Sequence, residues 1–143
     1  IYVNRSTKDV DFPATQVASL AELASLADVV VAATPGGAET YHLIGAEMFS
    51  AMKPTAYFVN ISRGEVVDET ALITALQSRE IAGAGLDVYE FEPKVPKALI
   101  EMENVTLLPH LGTAALEVRE AMGHMALDNL IAFFNDAAPP NIV

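Results

Sequence analysis

The sequence has 143 residues, of which 52 % are hydrophobic, and it carries 19 acidic and 8 basic side chains for a formal charge of −11. That length suits about one domain, and the apolar fraction suits a packed core rather than a disordered chain. The acidic excess argues against nucleic-acid binding, the absence of cysteine excludes disulfides and thiolate chemistry, and no apolar run reaches the roughly 18 residues of a membrane span. We therefore predict a cytoplasmic globular domain that binds neither nucleic acid nor membrane.

Short β-prone runs alternate with helical patterns along the chain. The predicted strands cover residues 1–6, 28–34, 56–62, 82–89 and 104–109. The predicted helices cover residues 19–27, 46–52, 68–78 and 114–134, and the proline-containing segment 91–102 is predicted as a loop with one helical turn. Asp68 has the residue type and position of a helix N-cap. The central strands are unbroken apolar runs, which are typical of a parallel α/β sheet covered on both faces.

The residues that come after the predicted strands carry the functional interest, because ligands of parallel sheets bind beyond the carboxyl ends of the strands. Thr34 and Pro35 follow the second predicted strand, and Arg63 follows the third. Glu92 comes shortly after the fourth, and His110 comes directly after the fifth. Since parallel strands end on one side of their sheet, we expect Arg63, Glu92 and His110 to converge.

These three side chains suit the reduction of an anionic carbonyl compound. Arginine presents a planar pair of donors that fits a carboxylate, and histidine exchanges a proton near neutral pH. A carboxylate beside the imidazole favours its charged form. The hydride has to come from a cofactor because no side chain supplies one, and a nicotinamide dinucleotide is the natural source on this kind of sheet.

Each of these residues also has a structural interpretation. Arg63 could cap a helix or pair with Glu65 on the surface, His110 could be an ordinary loop residue, and Glu92 is one of 19 acidic residues. His42 and His124 do not follow strands, and we assign them structural roles. No spacing of histidine and acidic residues predicts a metal site, and no serine has the sequence context of a nucleophile.

Three blocks of the sequence, in this order, resemble the signatures of the D-isomer-specific 2-hydroxyacid dehydrogenases: NISRGEVVDETAL, AGAGLDVYEFEP and LLPHLGTAA. The resemblance extends over nearly the whole chain, and three ordered blocks are far more specific than one. It implies that Arg63 binds the substrate carboxylate, that His110 is the acid/base, and that Glu92 supports the histidine. It also implies a Rossmann-like fold and a homodimer formed through the cofactor domain.

The same resemblance implies a set of cofactor contacts. Asp87 and the backbone around Ile61 and Ser62 would lie near the nicotinamide. The full set of predicted cofactor-binding residues is Asn4, Arg5, Ser6, Thr34, Pro35, Thr40, Ile61, Ser62, Arg63, Asp87, His110 and Gly112.

The sequence departs from the family pattern in one respect. It contains no G-x-G-x-x-G turn, the motif that holds the dinucleotide pyrophosphate after the first strand of such a domain. Its first residues, IYVNRS, resemble the second strand instead. We therefore predict an incomplete doubly wound parallel sheet that lacks the first strand. Residues 1–134 would form a partial NAD(P)-binding domain, and residues 135–143 would cross toward a substrate domain that this sequence does not include.

The end of the first predicted strand bears on cofactor choice. NAD-preferring domains place an acidic residue there to accept the ribose hydroxyls. Here the strand ends with Asn4, Arg5 and Ser6, which include no acid and could receive a 2′-phosphate. We predict NADP as the cofactor, with NAD as the second possibility. In the structural alternative Arg5 is only solvated.

The predicted function is the reduction of a small 2-keto acid, such as glyoxylate or hydroxypyruvate, by NAD(P)H with His110 as the proton donor. The resemblance is closest in character to the glyoxylate/hydroxypyruvate reductases. Two alternatives stay open: NAD-dependent oxidation of another D-2-hydroxy acid, and a non-catalytic dinucleotide-sensing module similar to the corepressors that resemble this family. Formate dehydrogenases fit less well, because they carry glutamine where this chain has Glu92.

Overall fold

The computed structural model describes residues 1–142 and divides the chain into two compact units, Ile1–Pro109 and His110–Val143. Val143, the last residue of the predicted crossing segment 135–143, lies outside the described residues. The predicted division of the chain after residue 134 stays a prediction.

The first unit is a parallel sheet accompanied by short helices. Its strands are β1 (Val29–Ala32), β2 (Tyr57–Asn60), β3 (Gly83–Leu86) and β4 (Val105–Leu107). Its helices are α1 (Leu20–Leu26), α2 (Ala46–Ala51), α3 (Glu69–Gln77) and α4 (Lys97–Ile100), with a 3₁₀ turn at Gly64–Val66. The strands lie in the order β1-β2-β3-β4, and every neighbouring pair is parallel, so their carboxyl ends lie on one side.

Local sequence signals explain where two of the helices begin. The Ser19 hydroxyl accepts a hydrogen bond from the N–H of Glu22 at 3.1 Å, and the Glu22 carboxylate accepts one from the N–H of Ala18 at 2.8 Å. The first bond satisfies a backbone donor that the first turn of α1 leaves without a helical partner, and the second fixes the residue before the N-cap against the same turn. The predicted N-cap of α3 is confirmed, because the Asp68 carboxylate accepts a hydrogen bond from the N–H of Ala71 at 3.0 Å.

The core of the first unit joins the sheet to the helices. Phe49 of α2 and Phe58 of β2 are fully buried and meet edge to face, with ring centroids 5.3 Å apart. Leu72 and Leu76 of α3 belong to the same core cluster and lie one helical turn apart. This packing holds the strand ends in a fixed order, which positions the loops that follow them.

Four of the five predicted strands form the sheet, and the first does not. Residues 1–6 make only an isolated parallel bridge between Tyr2 and Gln16. The prediction of a sheet strand there is wrong for this chain, because a β-prone run becomes a strand only where a neighbour completes its hydrogen-bond ladder. The fourth predicted strand begins one residue too early and ends three residues too late, since β3 covers Gly83–Leu86.

One edge and one face of the sheet are open within the first unit. β1 is an edge strand that pairs with β2. Val29, Val31 and Tyr57 share a face, since Val29 is the register partner of Tyr57, and each is about half exposed. The unbroken apolar runs predict a sheet that is covered on both faces. At these three positions, however, the described residues leave one face of the sheet exposed.

Among its described residues the second unit contains one helix, α5 (Leu116–Phe134), which begins two residues after the predicted start. His110 stands before it with a φ of 56°, in the left-handed region that histidine visits more readily than most residues. Across residues 1–142, none of the helices combines the length and the apolar character that crossing a bilayer requires.

Candidate functional site

A buried asparagine shapes the turn after β2. Asn60 is 2 % exposed, and its side-chain oxygen accepts hydrogen bonds from the N–H of Ser62 at 3.0 Å and from the Ser62 hydroxyl at 2.8 Å. Its side-chain nitrogen donates to the carbonyl of Arg63 at 3.1 Å. An asparagine that bonds the backbone two residues later closes a compact turn. The turn therefore presents Arg63 from a fixed piece of backbone.

Arg63 stands at the tip of this turn with its side chain exposed. Its Nη1 donates to the carbonyl of Ser62 at 2.7 Å, and within residues 1–142 no carboxylate forms an ion pair with it. It occupies the N-cap position of the 3₁₀ turn without a side-chain capping bond. Among the described residues the side chain of Arg63 therefore neither caps a helix nor pairs with Glu65 or another carboxylate, although its backbone provides the N-cap of the 3₁₀ turn. A guanidinium has five N–H donors, so this arrangement leaves donors for an anionic ligand.

The turn after β2 touches the loop after β3. A Cβ built on Gly64 would lie 1.9 Å from the carbonyl carbon and oxygen of Tyr89, so only glycine fits at that position. The N–H of Asp87 donates to the carbonyl of Asn60 at 3.0 Å, and Asp87 is itself buried. These contacts hold the ends of β2 and β3 together.

The loop after β3 also carries Glu92, whose position is held by the backbone. Its Oε1 accepts a hydrogen bond from the N–H of Tyr89 at 3.0 Å. The Tyr89 hydroxyl donates to the carbonyl of Leu108 at 2.8 Å, which ties the loop to the end of β4. Burial raises the pKa of Tyr89 above its ordinary value of 10.0, so the hydroxyl stays a hydrogen-bond donor at neutral pH.

A cavity of about 610 Å³ lies between the loops after β1 and β2. Its lining includes five predicted site residues, namely Thr34, Pro35, Ile61, Ser62 and Arg63. The volume is in the range of small-ligand sites, and the lining combines apolar side chains with hydroxyl and guanidinium groups. Such a lining suits a ligand that combines an apolar part with an anionic group.

A larger groove of about 1240 Å³ runs along the open edge of β1. It includes the predicted residues Asn4, Arg5 and Thr40, and it shares the start of the loop after β1 with the smaller cavity. Nη1 of Arg5 lies 2.7 Å from Oε2 of Glu39, in an ion pair whose two side chains are 88 % and 81 % exposed. Arg5 is therefore not simply solvated, although so exposed a pair is easily exchanged for another anion.

The remaining predicted residues lie outside the linings of both cavities. Ser6 follows the groove residues Asn4 and Arg5 but does not line the groove. Asp87 and Glu92 follow β3, the next strand along the sheet. His110 and Gly112 belong to the second unit. The roles of all these residues stay predictions.

The sequence interpretation missed a cluster of titratable side chains that joins three segments of the first unit. Nε2 of His42 lies 2.8 Å from Oε1 of Glu90, and the carboxylates of Glu90 and Glu69 each accept the other's N–H at 3.4 Å. Burial, together with the nearby charge of Glu90, raises the pKa of Glu69, and the hydrogen bond from the Glu90 N–H opposes this shift. Within residues 1–142 no group of three such side chains is placed to hold a metal ion.

The missed residues differ in how far local sequence points to them. Asn60 has a signal, because it is the polar residue that ends the apolar run 57–59 in the same inward register as Phe58. His42 has none, since its partner Glu90 is 48 positions away.

Comparison with known proteins gives these loops a context. Residues 1–112 match the family described as D-isomer specific 2-hydroxyacid dehydrogenase, NAD binding domain. A glyoxylate reductase of Thermococcus gammatolerans is 51 % identical over 124 residues, which are 87 % of this chain and 37 % of that relative. A hydroxyphenylpyruvate reductase of Plectranthus scutellarioides is 43 % identical over 134 residues, which are 94 % of this chain and 42 % of that relative.

A solved structure agrees with the fold. The NADPH-dependent glyoxylate/hydroxypyruvate reductase of Sinorhizobium meliloti, in complex with NADP and malonate, superposes with a TM-score of 0.89 at 42 % identity. The match covers 93 % of this chain and 41 % of that structure's chain. The chain thus spans about two fifths of the length of the proteins it matches.

The buried Glu69 generates a pH prediction. Because its pKa is raised in the folded state, the folded protein keeps a proton that the unfolded chain releases, so this contribution to stability is present at low pH and lost as the pH rises above 4.5. Glu69→Gln stays neutral and keeps an acceptor for the Glu90 N–H. We expect the melting temperature of Glu69→Gln to rise relative to that of wild type as the pH increases above 4.5, and thermal denaturation of both proteins across a pH series measures this difference.

Glu103→Gln is the matched control, because Glu103 is an exposed acid of the same unit. The melting temperature of Glu103→Gln should differ from that of wild type by the same amount at every pH in this series. A constant difference between Glu69→Gln and wild type would contradict the raised pKa of Glu69.

Proposed function

We propose that the parent protein of this chain reduces a small 2-keto acid such as glyoxylate or hydroxypyruvate. The chain belongs to the D-isomer specific 2-hydroxyacid dehydrogenase family, as part of its NAD binding domain. The observation that carries the proposal is the cavity that joins the loop after β1 to Arg63 at the end of β2. The Sinorhizobium meliloti relative, whose structure contains NADP and malonate, supports a dinucleotide together with a small carboxylic acid.

The residues of the two cavities fit the two ends of a dinucleotide. Pro35 and Ile61 offer apolar contacts for the nicotinamide ring, and Thr34 adds a hydroxyl beside it. Arg5, in the groove along β1, offers a cation for a phosphate of the adenosine end. When bound, the nicotinamide supplies the hydride that no side chain can supply.

Arg63 would orient the keto acid. Its guanidinium can form two parallel hydrogen bonds with the substrate carboxylate, which places the neighbouring keto carbon inside the cavity. The Asn60 hydrogen bonds and the close contact at Gly64 already hold the backbone of the turn, so little conformational freedom is lost when the substrate binds.

We propose His110 as the proton donor to the keto oxygen and Glu92 as the acid that favours the charged imidazole. His110 follows the end of β4 by three residues, and Glu92 is held in the loop after β3 by the N–H of Tyr89. His110 would pass its proton to the keto oxygen as the keto carbon is reduced, and the product would be a 2-hydroxy acid.

We propose NADP as the preferred dinucleotide and NAD as the second choice. Arg5 is available to a 2′-phosphate once it leaves Glu39, and the exposure of both side chains makes that exchange inexpensive. No acidic residue stands among residues 1–8 to accept ribose hydroxyls. The Sinorhizobium meliloti relative, which is named NADPH-dependent, supports the same choice.

The chain would act as part of a larger enzyme. We propose that residues 1–134 are a partial cofactor domain and that residues 135–143 lead toward the substrate domain. The open edge of β1, with the half-exposed Val29 and Val31 beside the groove, suits a further parallel strand followed by the Gly-rich turn that would hold the pyrophosphate. The proposed cytoplasmic location and homodimer can be checked by fractionation and by light scattering of the intact protein.

The first experiment tests the reaction itself. We expect the intact parent protein to oxidise NADPH rapidly when glyoxylate or hydroxypyruvate is added, and NADH more slowly. His110→Ala should lower kcat by about 10²–10⁴-fold while dinucleotide affinity changes little, as removal of a general acid does. Dinucleotide binding without turnover of any 2-keto acid would contradict the proposed function and favour a sensor.

The role of Arg63 predicts an effect on substrate affinity. Arg63→Lys keeps the charge but cannot form the two parallel hydrogen bonds, so we expect the KM of the keto acid to rise on the order of tenfold or more. The affinity for NADPH should change much less. Steady-state kinetics measure this effect, and Arg79→Lys is the control for the general loss of an arginine. An unchanged KM in Arg63→Lys would mean that the substrate carboxylate binds elsewhere.

The role of Arg5 predicts a change in cofactor preference. Arg5→Asp replaces the cation with an acid that repels a 2′-phosphate and can accept ribose hydroxyls, so we expect the KM of NADPH to rise on the order of tenfold while the KM of NADH changes little. Lys8→Asp makes the same charge reversal at a nearby residue that also lines the groove. An equal rise in the KM of NADPH and of NADH in Arg5→Asp would contradict the assignment of Arg5 to the 2′-phosphate.

A further inference from the structure

We infer that Glu65 is a positioning residue that couples the cofactor loop after β1, residues 33–40, to the arginine at the end of β2. The inference deepens the proposed function and rests on it for its kinetic consequences. Glu65 lies within the block NISRGEVVDETAL, but it is not among the predicted site residues. It is half-buried at the wall that the smaller cavity shares between the two loops.

The Glu65 carboxylate makes a direct bond to the cofactor loop. Its Oε1 accepts a hydrogen bond from the N–H of Gly37 at 2.7 Å, across 28 positions of sequence. A carboxylate acceptor makes this bond shorter and stronger than a neutral acceptor would. Gly37 has a φ of 122°, which glycine alone adopts readily, so the loop backbone is turned to present this N–H.

The backbone of Glu65 is anchored without help from its carboxylate. Its carbonyl accepts a hydrogen bond from the N–H of His42 at 2.9 Å, and the next residues continue with a bridge between Ile44 and Val67. Removing the carboxylate therefore leaves this anchor in place and releases the link to Gly37. The side chain can be tested separately from the fold.

The loop backbone also packs against Arg63 at the same point. A Cβ built on Gly36 would lie 2.7 Å from Oε1 of Glu65 and 2.9 Å from Cγ of Arg63. The carboxylate of Glu65 and the aliphatic stem of Arg63 therefore both lie close to the loop backbone at Gly36, where they leave no room for a side chain. The loop itself is closed by the Thr40 hydroxyl, which donates to the carbonyl of Pro35 at 2.7 Å.

This coupling has a specific consequence for catalysis. Thr34 and Pro35 would contact the nicotinamide, and Arg63 would hold the substrate carboxylate, so Glu65 fixes the distance between the hydride donor and the keto carbon. Loss of the link should weaken the binding of both dinucleotide and substrate, because each ligand would then have to order a more mobile loop or side chain when it binds. Proton donation from His110 should be affected less.

The first test measures the link without cofactor or substrate. Hydrogen exchange followed by mass spectrometry on the intact apo parent protein reports the peptide that contains Gly37. We expect Glu65→Ala to speed exchange at that amide by about tenfold, because its acceptor is lost. Glu65→Gln retains an oxygen at the same place and should speed it less. Unchanged exchange in Glu65→Ala would overturn the inference.

The second test measures ligand affinity. By calorimetry we expect Glu65→Ala to bind NADPH about tenfold more weakly than wild type, and Glu65→Gln to recover most of that loss. The KM of glyoxylate should rise with it, while kcat falls by a smaller factor. The double variant Gly36→Ala/Glu65→Ala should lose NADPH affinity by a smaller factor than the product of the factors for the two single variants, since both changes disturb one contact.

Glu103→Ala is the matched control, because it removes an exposed glutamate of the same unit. It should leave exchange at Gly37 and NADPH affinity unchanged, and an equal loss in this control would overturn the inference. Exchange and calorimetry do not depend on turnover. If wild type binds NADPH but reduces no 2-keto acid, the proposed function fails while these two measurements still decide the role of Glu65.

Discussion

At the end of β2 the side chain of Asn60 holds three groups at once, the N–H and hydroxyl of Ser62 and the carbonyl of Arg63. Because Asn60 is 2 % exposed, water cannot replace a broken bond, and leaving one buried group unpaired would cost about 1–3 kcal/mol. The turn is therefore confined to conformations that satisfy all three groups. The placement of Arg63 depends on this constraint, and the contacts of the neighbouring loops depend on where that turn lies.

Glycine allows the neighbouring loops to approach this turn. At Gly64 a side chain would collide with the backbone of Tyr89, and at Gly36 it would collide with Glu65 and Arg63. The turn after β2 is therefore in contact with the loop after β1 on one side and the loop after β3 on the other. Parallel strand order brings the three loops to one edge of the sheet, and these glycines decide how closely they meet.

The acidic composition of the chain has a structural use at this edge. The carboxylates of Glu65 and Glu92 accept hydrogen bonds from N–H groups of the loops, and Glu69 and Glu90 accept from each other's backbone. Loops have no ladder partners for their N–H groups, so side-chain acceptors replace them. The raised pKa of Glu69 indicates what this costs, because two carboxylates are held close together away from water. The net charge of −11 thus partly reflects how the loops are built.

Sequence by itself determined the parallel α/β class, the order of the four sheet strands with the helices that follow them, and the N-cap at Asp68, because hydrophobic periodicity and capping are local properties. The three ordered blocks also identified the family and placed Arg63 at a strand end. Only the tertiary structure decided that residues 1–6 remain outside the sheet, that Arg5 pairs with Glu39, and that Glu65 reaches Gly37. The two pairings join partners 34 and 28 positions apart, whose distance in space is set by how the strands and helices pack rather than by any local pattern.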